Sequence, residues 1–133
     1  AYNGYVTDFI RQARLGQPTT QQQEWFDLAK TANDTAIANI RPGVGCEEVY
    51  EAAHHVFREA RLADYGVINI TGHSCGTEVH ELPYVGERGR VETSDTVIEE
   101  GMGFGIEPLI AGMDSPRWEA GIFIQEDTVA VKY

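Results

Sequence analysis

The sequence predicts an α+β fold, with two consecutive helices packed on one face of a mostly antiparallel sheet. Three observations carry this. An apolar stripe of helical period covers about residues 21–40, a second covers about residues 46–61, and glycine-punctuated β segments fill the chain from residue 66 onward.

Residues 2–15 alternate loosely, with Tyr5, Phe9 and Ile10 among polar neighbours, and read as an extended strand. Asp8 lies inside it. Aspartate is disfavoured in strand interiors, so a buried Asp8 needs a partner and an exposed one does not. Taken alone, the segment favours the exposed reading. Gly16-Gln17-Pro18-Thr19-Thr20 is a breaker followed by a helix N-cap. From about Gln21 to Ile40, Trp25, Leu28, Ala29, Ala32, Ala36, Ile37 and Ile40 recur at three- and four-residue spacing, the pattern of an amphipathic helix. Arg41-Pro42-Gly43 ends it. A second helix is expected from about Cys46 to Arg61, with Val49, Ala52, Ala53, Val56, Phe57 and Ala60 as its stripe. His54 and His55 are adjacent on that helix, cannot both face one site, and read as surface or interhelix residues.

In the β region, Val97-Ile98 lead into a turn at Glu99-Glu100-Gly101. Gly103 to Ile110 reads as one strand with Glu107 inside it, and Ile122 to Val131 as another with Glu126 inside it.

Composition narrows the function classes. The chain has 133 residues, enough for one core and one domain. Its net charge of −11 argues against nucleic-acid and anionic-membrane partners, because an acidic surface repels phosphate. No apolar run approaches the roughly 20 residues of a membrane span. Cys46 and Cys75 make neither a disulfide framework nor a CxxC motif, so a reducing, cytoplasmic setting is expected. Cys75 lies two residues from His73, which raises a Cys–His nucleophile. A small, apolar-behaving loop cysteine is the preferred reading.

Chemistry concentrates in Thr71 to Tyr84, where His73 and His80 stand seven residues apart between glycines and a Glu-Leu-Pro exit. Helical spacing would align them, but Gly72, Gly76 and Pro83 oppose a helix. A glycine-bent loop running into a short strand, with both imidazoles aimed at one cavity, is the expected geometry. Asp8, Glu107 and Glu126 each occupy a strand position where a hydrophobe would be usual. With His73 they form the ligand set of a divalent-metal site, hard oxygens plus one nitrogen, suited to manganese, iron(II), cobalt or zinc. Bridging carboxylates allow two metals about 3.5–4 Å apart. His80 is then free to orient or protonate the reacting group.

Five stretches carry a resemblance, in the same order along the chain. Tyr2-Asn3-Gly4-Tyr5-Val6-Thr7-Asp8 comes first, then the helix pair joined by Arg41-Pro42-Gly43-Val44. Gly72-His73-Ser74-Cys75-Gly76 with Val79-His80-Glu81-Leu82-Pro83-Tyr84 follows. Gly101-Met102-Gly103-Phe104-Gly105-Ile106-Glu107-Pro108 and Glu126-Asp127-Thr128-Val129 complete the set. They are similar to the motifs of the pita-bread metallopeptidases: prolidase, aminopeptidase P, methionine aminopeptidase and creatinase.

The resemblance implies a truncated pita-bread fold with a curved sheet, residues 1–133 being the second half of a catalytic domain. The family's first metal-binding aspartate and the first half of the domain would lie upstream of residue 1, and Lys132-Tyr133 would fall inside the last long strand. It implies metal ligands at Asp8, His73, Glu107 and Glu126, two divalent metal ions with manganese favoured, and catalytic roles for His80 and Glu107. His80 would contact the scissile amide or the tetrahedral intermediate, and Glu107 would relay a proton. The implied activity is hydrolysis of a peptide or related amide bond, in a protein that forms a homodimer when complete. Ser74 and Cys75 replace the family's common Gly-Ile. Prolidases and aminopeptidases P carry an arginine two residues before the last glutamate, where this chain has Ile124. That difference motivates a second reading, creatinase-like hydrolysis or a lyase reaction on a small amide substrate. A third is a non-catalytic module that binds peptides or partner proteins. The chain as it stands, with one aspartate outside it, is expected to be weakly active or inactive.

Overall fold

The structure, a computed structural model, describes residues 1–62, 69–111 and 121–132. Helix α1 spans Thr20–Asn39 and begins where the sequence places a cap. The Thr19 hydroxyl accepts from the Gln22 amide at 3.2 Å, and the Gln22 side chain accepts from the Thr19 amide at 3.0 Å. Two otherwise unpaired helix donors are satisfied by this reciprocal box. Trp25, Ala29, Ala32, Asn33 and Ala36 form its buried face, and the alanines let a second helix approach closely.

Helix α2 spans Cys46–Glu59. Glu47 and Glu48 in its first turn favour the positive end of the helix dipole, and the Glu48 carboxylate accepts from the Gly45 amide at 2.9 Å. The helix stops two residues before the expected Arg61. Arg61 adopts a φ of 58°, and the Leu62 amide returns to the Phe57 carbonyl at 2.9 Å, a left-handed cap. His54 stacks on Tyr50 within α2, with ring centroids 5.0 Å apart, and His55 is exposed.

Four strands form the main sheet in the order β2-β1-β3-β6, all antiparallel: β1 Ile70–Ser74, β2 Glu81–Gly86, β3 Gly103–Ile106 and β6 Asp127–Ala130. Strands β4 Leu109–Ala111 and β5 Ile122–Ile124 pair separately. Both helices pack on these strands, and Val49 and Phe57 share one buried core with Val85, Phe104, Ile106 and Ile110. The α+β architecture is therefore the one expected. The onset of the β region at 66–68 lies outside the described residues.

Three expectations need correction. Gly103 to Ile110 is not one strand, because the ladder breaks at Glu107-Pro108. Proline has no amide hydrogen to continue it. Ile122 to Val131 is likewise broken at Gln125-Glu126. Both breaks fall at the same rung: Ile106 pairs with Asp127 before it and Leu109 with Ile124 after it, leaving Glu107 opposite Glu126. Each glutamate turns outward to another partner, the Glu107 amide to the Thr71 carbonyl at 2.7 Å and the Glu126 amide to the Ile10 carbonyl at 3.2 Å.

The third correction concerns residues 2–15, which form no regular strand. Only two isolated bridges occur there, Tyr2 with Tyr5 and Ile10 with Glu126. The segment from Asp8 to Gln12 nonetheless runs antiparallel to 124–128, joined largely through side chains. The Asp8 amide donates to the Thr128 hydroxyl at 2.9 Å, and that hydroxyl donates to the Asp8 carbonyl at 2.5 Å. Four residues on, the Gln12 side chain donates to the Ile122 carbonyl and accepts from the Ile124 amide at 2.9 Å. Alternation suggested a strand, but inserted side chains replace its ladder.

Candidate metal centre

Side chains alternate across a strand, so β3 sends Phe104 and Ile106 toward the helices and turns Gly105 to the opposite face. His73 pairs with Gly105 and lies over it. A Cβ built on Gly105 would stand 2.8 Å from Glu126 Oε1 and 2.9 Å from His73 Cε1. Glycine here is a spatial requirement, since real Cβ atoms do not approach other atoms so closely. The space above it holds the chemistry.

His73 is buried in β1, not in a loop as expected; the glycine-bent loop follows it and carries His80 instead. Its Nδ1 lies 3.1 Å from the Ser74 carbonyl, which makes Nδ1 the protonated nitrogen and leaves the Nε2 lone pair facing the cavity. Nε2 stands 3.6 Å from Glu126 Oε1 and 3.7 Å from Glu107 Oε1. Both distances exceed a hydrogen bond. Accordingly, His73 Nε2 and Glu126 Oε1 are buried without any hydrogen-bond partner. An unsatisfied buried polar atom costs about 1–3 kcal/mol, and here two stand face to face. Like charges directly opposite on neighbouring strands add repulsion between Glu107 and Glu126.

Asp8 joins the cluster from the segment beside Glu126, with a ligand atom within 4.8 Å of those of His73 and His80. It is half-buried, not exposed as the segment alone favoured. Burial pushes the Glu126 carboxyl up to about 7, and the charges of Glu107 and Asp8 push the same way. Glu107 is also raised, chiefly by burial, with His73 and His80 pulling it back. A divalent cation would supply what these atoms lack, a positive charge and a Lewis acid for one imidazole lone pair and converging carboxylates. The donor set fits such an ion. His73, Glu107 and Glu126 each present one ligand atom within 4.8 Å of the others, and so do Asp8, His73 and His80.

His80 is exposed, its ring 4.2 Å from that of His73 by centroid. The loop before it is shaped by Glu81, whose carboxylate accepts from the Glu78 amide at 2.7 Å and the Thr77 hydroxyl at 3.1 Å. The structure thus brings together all five residues singled out from the sequence: Asp8, His73, His80, Glu107 and Glu126. Cys75 is half-buried beside them. Burial pushes its thiol up, as do the Asp8 and Glu126 charges, against a hydrogen bond with Thr128, so it makes a poor thiolate nucleophile.

Several supporting residues escaped the sequence reading. Thr128 clamps the Asp8 backbone and Gly105 clears the cavity, although both lie inside motifs already noted. Arg11, Asn33 and Asp127 form a polar cluster beneath Glu126. Burial raises the Asp127 carboxyl, but hydrogen bonds from Gln125, Arg11 and Asn33 outweigh it and hold the group below its ordinary value. The signal for Asn33 was a polar residue in an alanine seam. Nothing local signalled Arg11.

The fold and the cluster together define a class: a mostly antiparallel sheet with helices on one face and a candidate metal centre on the other. A model of metallopeptidase family M24 matches residues 1–132, and the chain belongs to that family. It is 40% identical over 129 residues to the probable dipeptidase PepE of Mycobacterium bovis, covering 96% of this chain and 31% of that protein. It is 34% identical over 131 residues to the Xaa-Pro dipeptidase of Lactobacillus helveticus, covering 98% and 33%. The prolidase from Pyrococcus furiosus superposes with a TM-score of 0.84 at 31% identity, over 98% of this chain and 36% of that one. The fold is thus the pita-bread fold, and the chain spans about a third of the length of these curated relatives. Among the described residues no helix is long and apolar enough to cross a membrane.

Proposed function

We propose that residues 1–133 are the second half of a pita-bread catalytic domain, and that the complete protein is a dinuclear-metal-dependent hydrolase of the Xaa-Pro dipeptidase/aminopeptidase type. The observation that carries this is the pair of orphaned buried atoms, His73 Nε2 and Glu126 Oε1, facing each other across a cavity ringed by carboxylates. Asp8, His73, Glu107 and Glu126 hold the metals. Divalent cations held there, manganese by preference, would supply Lewis acidity to a water and to the scissile amide carbonyl.

The chain's own groups do the rest. His73 is held by the Ser74 carbonyl so that Nε2 faces the cavity. Glu107, whose carboxylate stands 3.7 Å from His73 Nε2 in the same cluster, is placed to take the proton from the attacking water and pass it to the leaving amine. His80, exposed at the rim, donates a hydrogen bond to the oxygen that gains negative charge. A peptide or small amide substrate, a homodimeric assembly and a cytoplasmic setting complete the proposal.

Ile124 supports a second reading. It occupies β5, two residues before Glu126, and offers no positive charge to a substrate carboxylate there. Small-molecule C–N hydrolysis or lyase chemistry would not need one at that place. Assaying the complete protein with manganese against Xaa-Pro dipeptides, other dipeptides and small amides separates the two. Turnover of dipeptides, lost in His73→Ala, is the expected result. Turnover of small amides alone would move the assignment to the second reading, and catalysis undiminished by His73→Ala would overturn both.

A further inference from the structure

Asp8 reaches the site on a segment paired to its neighbour by one isolated bridge, Ile10 with Glu126, so side chains help to set its distance from Glu126. Thr128 and Gln12 bridge the two segments, and a third side chain, Arg11, bridges them at Glu126 itself. Arg11 Nη1 donates to the Glu126 carbonyl at 2.6 Å and to the Ile10 carbonyl at 2.9 Å, while Nη2 is hydrogen-bonded to Asp127 Oδ1. The second oxygen of Asp127 accepts from Asn33 Nδ2 on α1 at 2.8 Å and from Gln125 Nε2 at 3.0 Å. Asn33 is fully buried among Ala29, Ala32 and Ala36, so a rigid helix anchors the far end.

We propose that Arg11, braced by Asp127 and Asn33, is a positioning residue that locks the Asp8 and Glu126 segments together so that their carboxylates converge on one cation. This rests on the reading that the cavity binds metal. An exposed ion pair taken singly contributes about 0–1 kcal/mol, and Arg11 is half exposed. Here, however, one planar guanidinium spans acceptors on both ligand-bearing segments, including the carbonyl of a ligand residue itself. Lysine, a point donor on a flexible stem, cannot reproduce that fork. The residue works through geometry, on groups that touch the metal.

The test compares the complete wild-type protein with Arg11→Gln, Arg11→Lys, Asp127→Asn and the Arg11→Gln/Asp127→Asn double variant. Manganese affinity is measured by calorimetry, and amide exchange in the metal-free proteins by NMR or mass spectrometry. Groups that orient metal ligands typically contribute 10–100-fold in affinity. Arg11→Gln and Asp127→Asn should each weaken manganese at least about tenfold, with Arg11→Lys between them and wild type. The double variant should be no worse than the more severe single, because the two residues act as one unit. Exchange at the Ile10 and Glu126 amides should accelerate, with Val49 and Ala53 in α2 unchanged as evidence of folding. Wild-type affinity in Arg11→Gln, or additive losses in the double variant, would overturn the proposal while leaving the metal reading intact. No manganese uptake by wild type would overturn the metal reading and this proposal together.

Discussion

Gly105→Ala is the change that most sharply separates the site from the fold. The added methyl would stand 2.8 Å from Glu126 Oε1, 2.9 Å from His73 Cε1 and 3.2 Å from His73 Nε2. Ordinary contact for these atoms begins near 3.4 Å, so each neighbour must retreat by about half an ångström, the tolerance within which a binding constellation must be held. Neither can retreat easily, as both are buried with about 1% exposure. Over-packing of this kind costs about 1–3 kcal/mol of stability. Displacing two ligand atoms should weaken manganese at least about tenfold. The comparison is Phe104→Leu, one residue away on the same strand but facing the helices. It should cost roughly 1 kcal/mol of stability and leave metal affinity unchanged. Calorimetry with manganese and thermal unfolding of both variants is the assay. Wild-type metal affinity in Gly105→Ala would refute the placement of the metal above Gly105.

Three further outcomes are expected. Glu126 has a native value near 7 against about 4.5 unfolded, so the metal-free native state binds the proton more tightly. Its contribution is fully present below pH about 4.5 and is lost as pH rises through 7, by roughly 3 kcal/mol. Metal-free wild type should therefore melt lower at pH 8 than at pH 5.5, a difference that Glu126→Gln should diminish; an undiminished difference would contradict the shift. The same burial means that manganese binding near pH 6 should release protons, visible as a buffer-dependent calorimetric enthalpy. Thr19→Ala should lower stability by about 1 kcal/mol through loss of the α1 cap, seen in thermal melts, without altering metal affinity.

How much was legible in the sequence differed by element. The helices were readable because their information is local: an alanine-rich stripe, Thr19 with Gln22, and a Pro-Gly stop. The strands were readable as extended segments of a mostly antiparallel sheet, but their order and register were not. Nothing in the β-branched run from Ile122 to Val131 says that it serves two pairings, because the break at Glu126 falls opposite Glu107-Pro108 on a distant segment. Residues 2–15 misled for a related reason. Their alternation is real, yet Thr128 and Gln12 insert side chains where a ladder would have formed. At the site, residue types could be picked out because carboxylates are unusual inside strands. Their supports could not, since Arg11 acquires a role only once Asp8 lies beside Glu126.

The most direct measurement is manganese titration of the complete protein, with His73→Ala as its partner. Saturable binding that raises the melting temperature, reverses with a chelator and disappears in His73→Ala is the expected result. Equal binding by both proteins would place the metal elsewhere, and binding by neither would mean that the facing His73 and Glu126 atoms are not a metal centre.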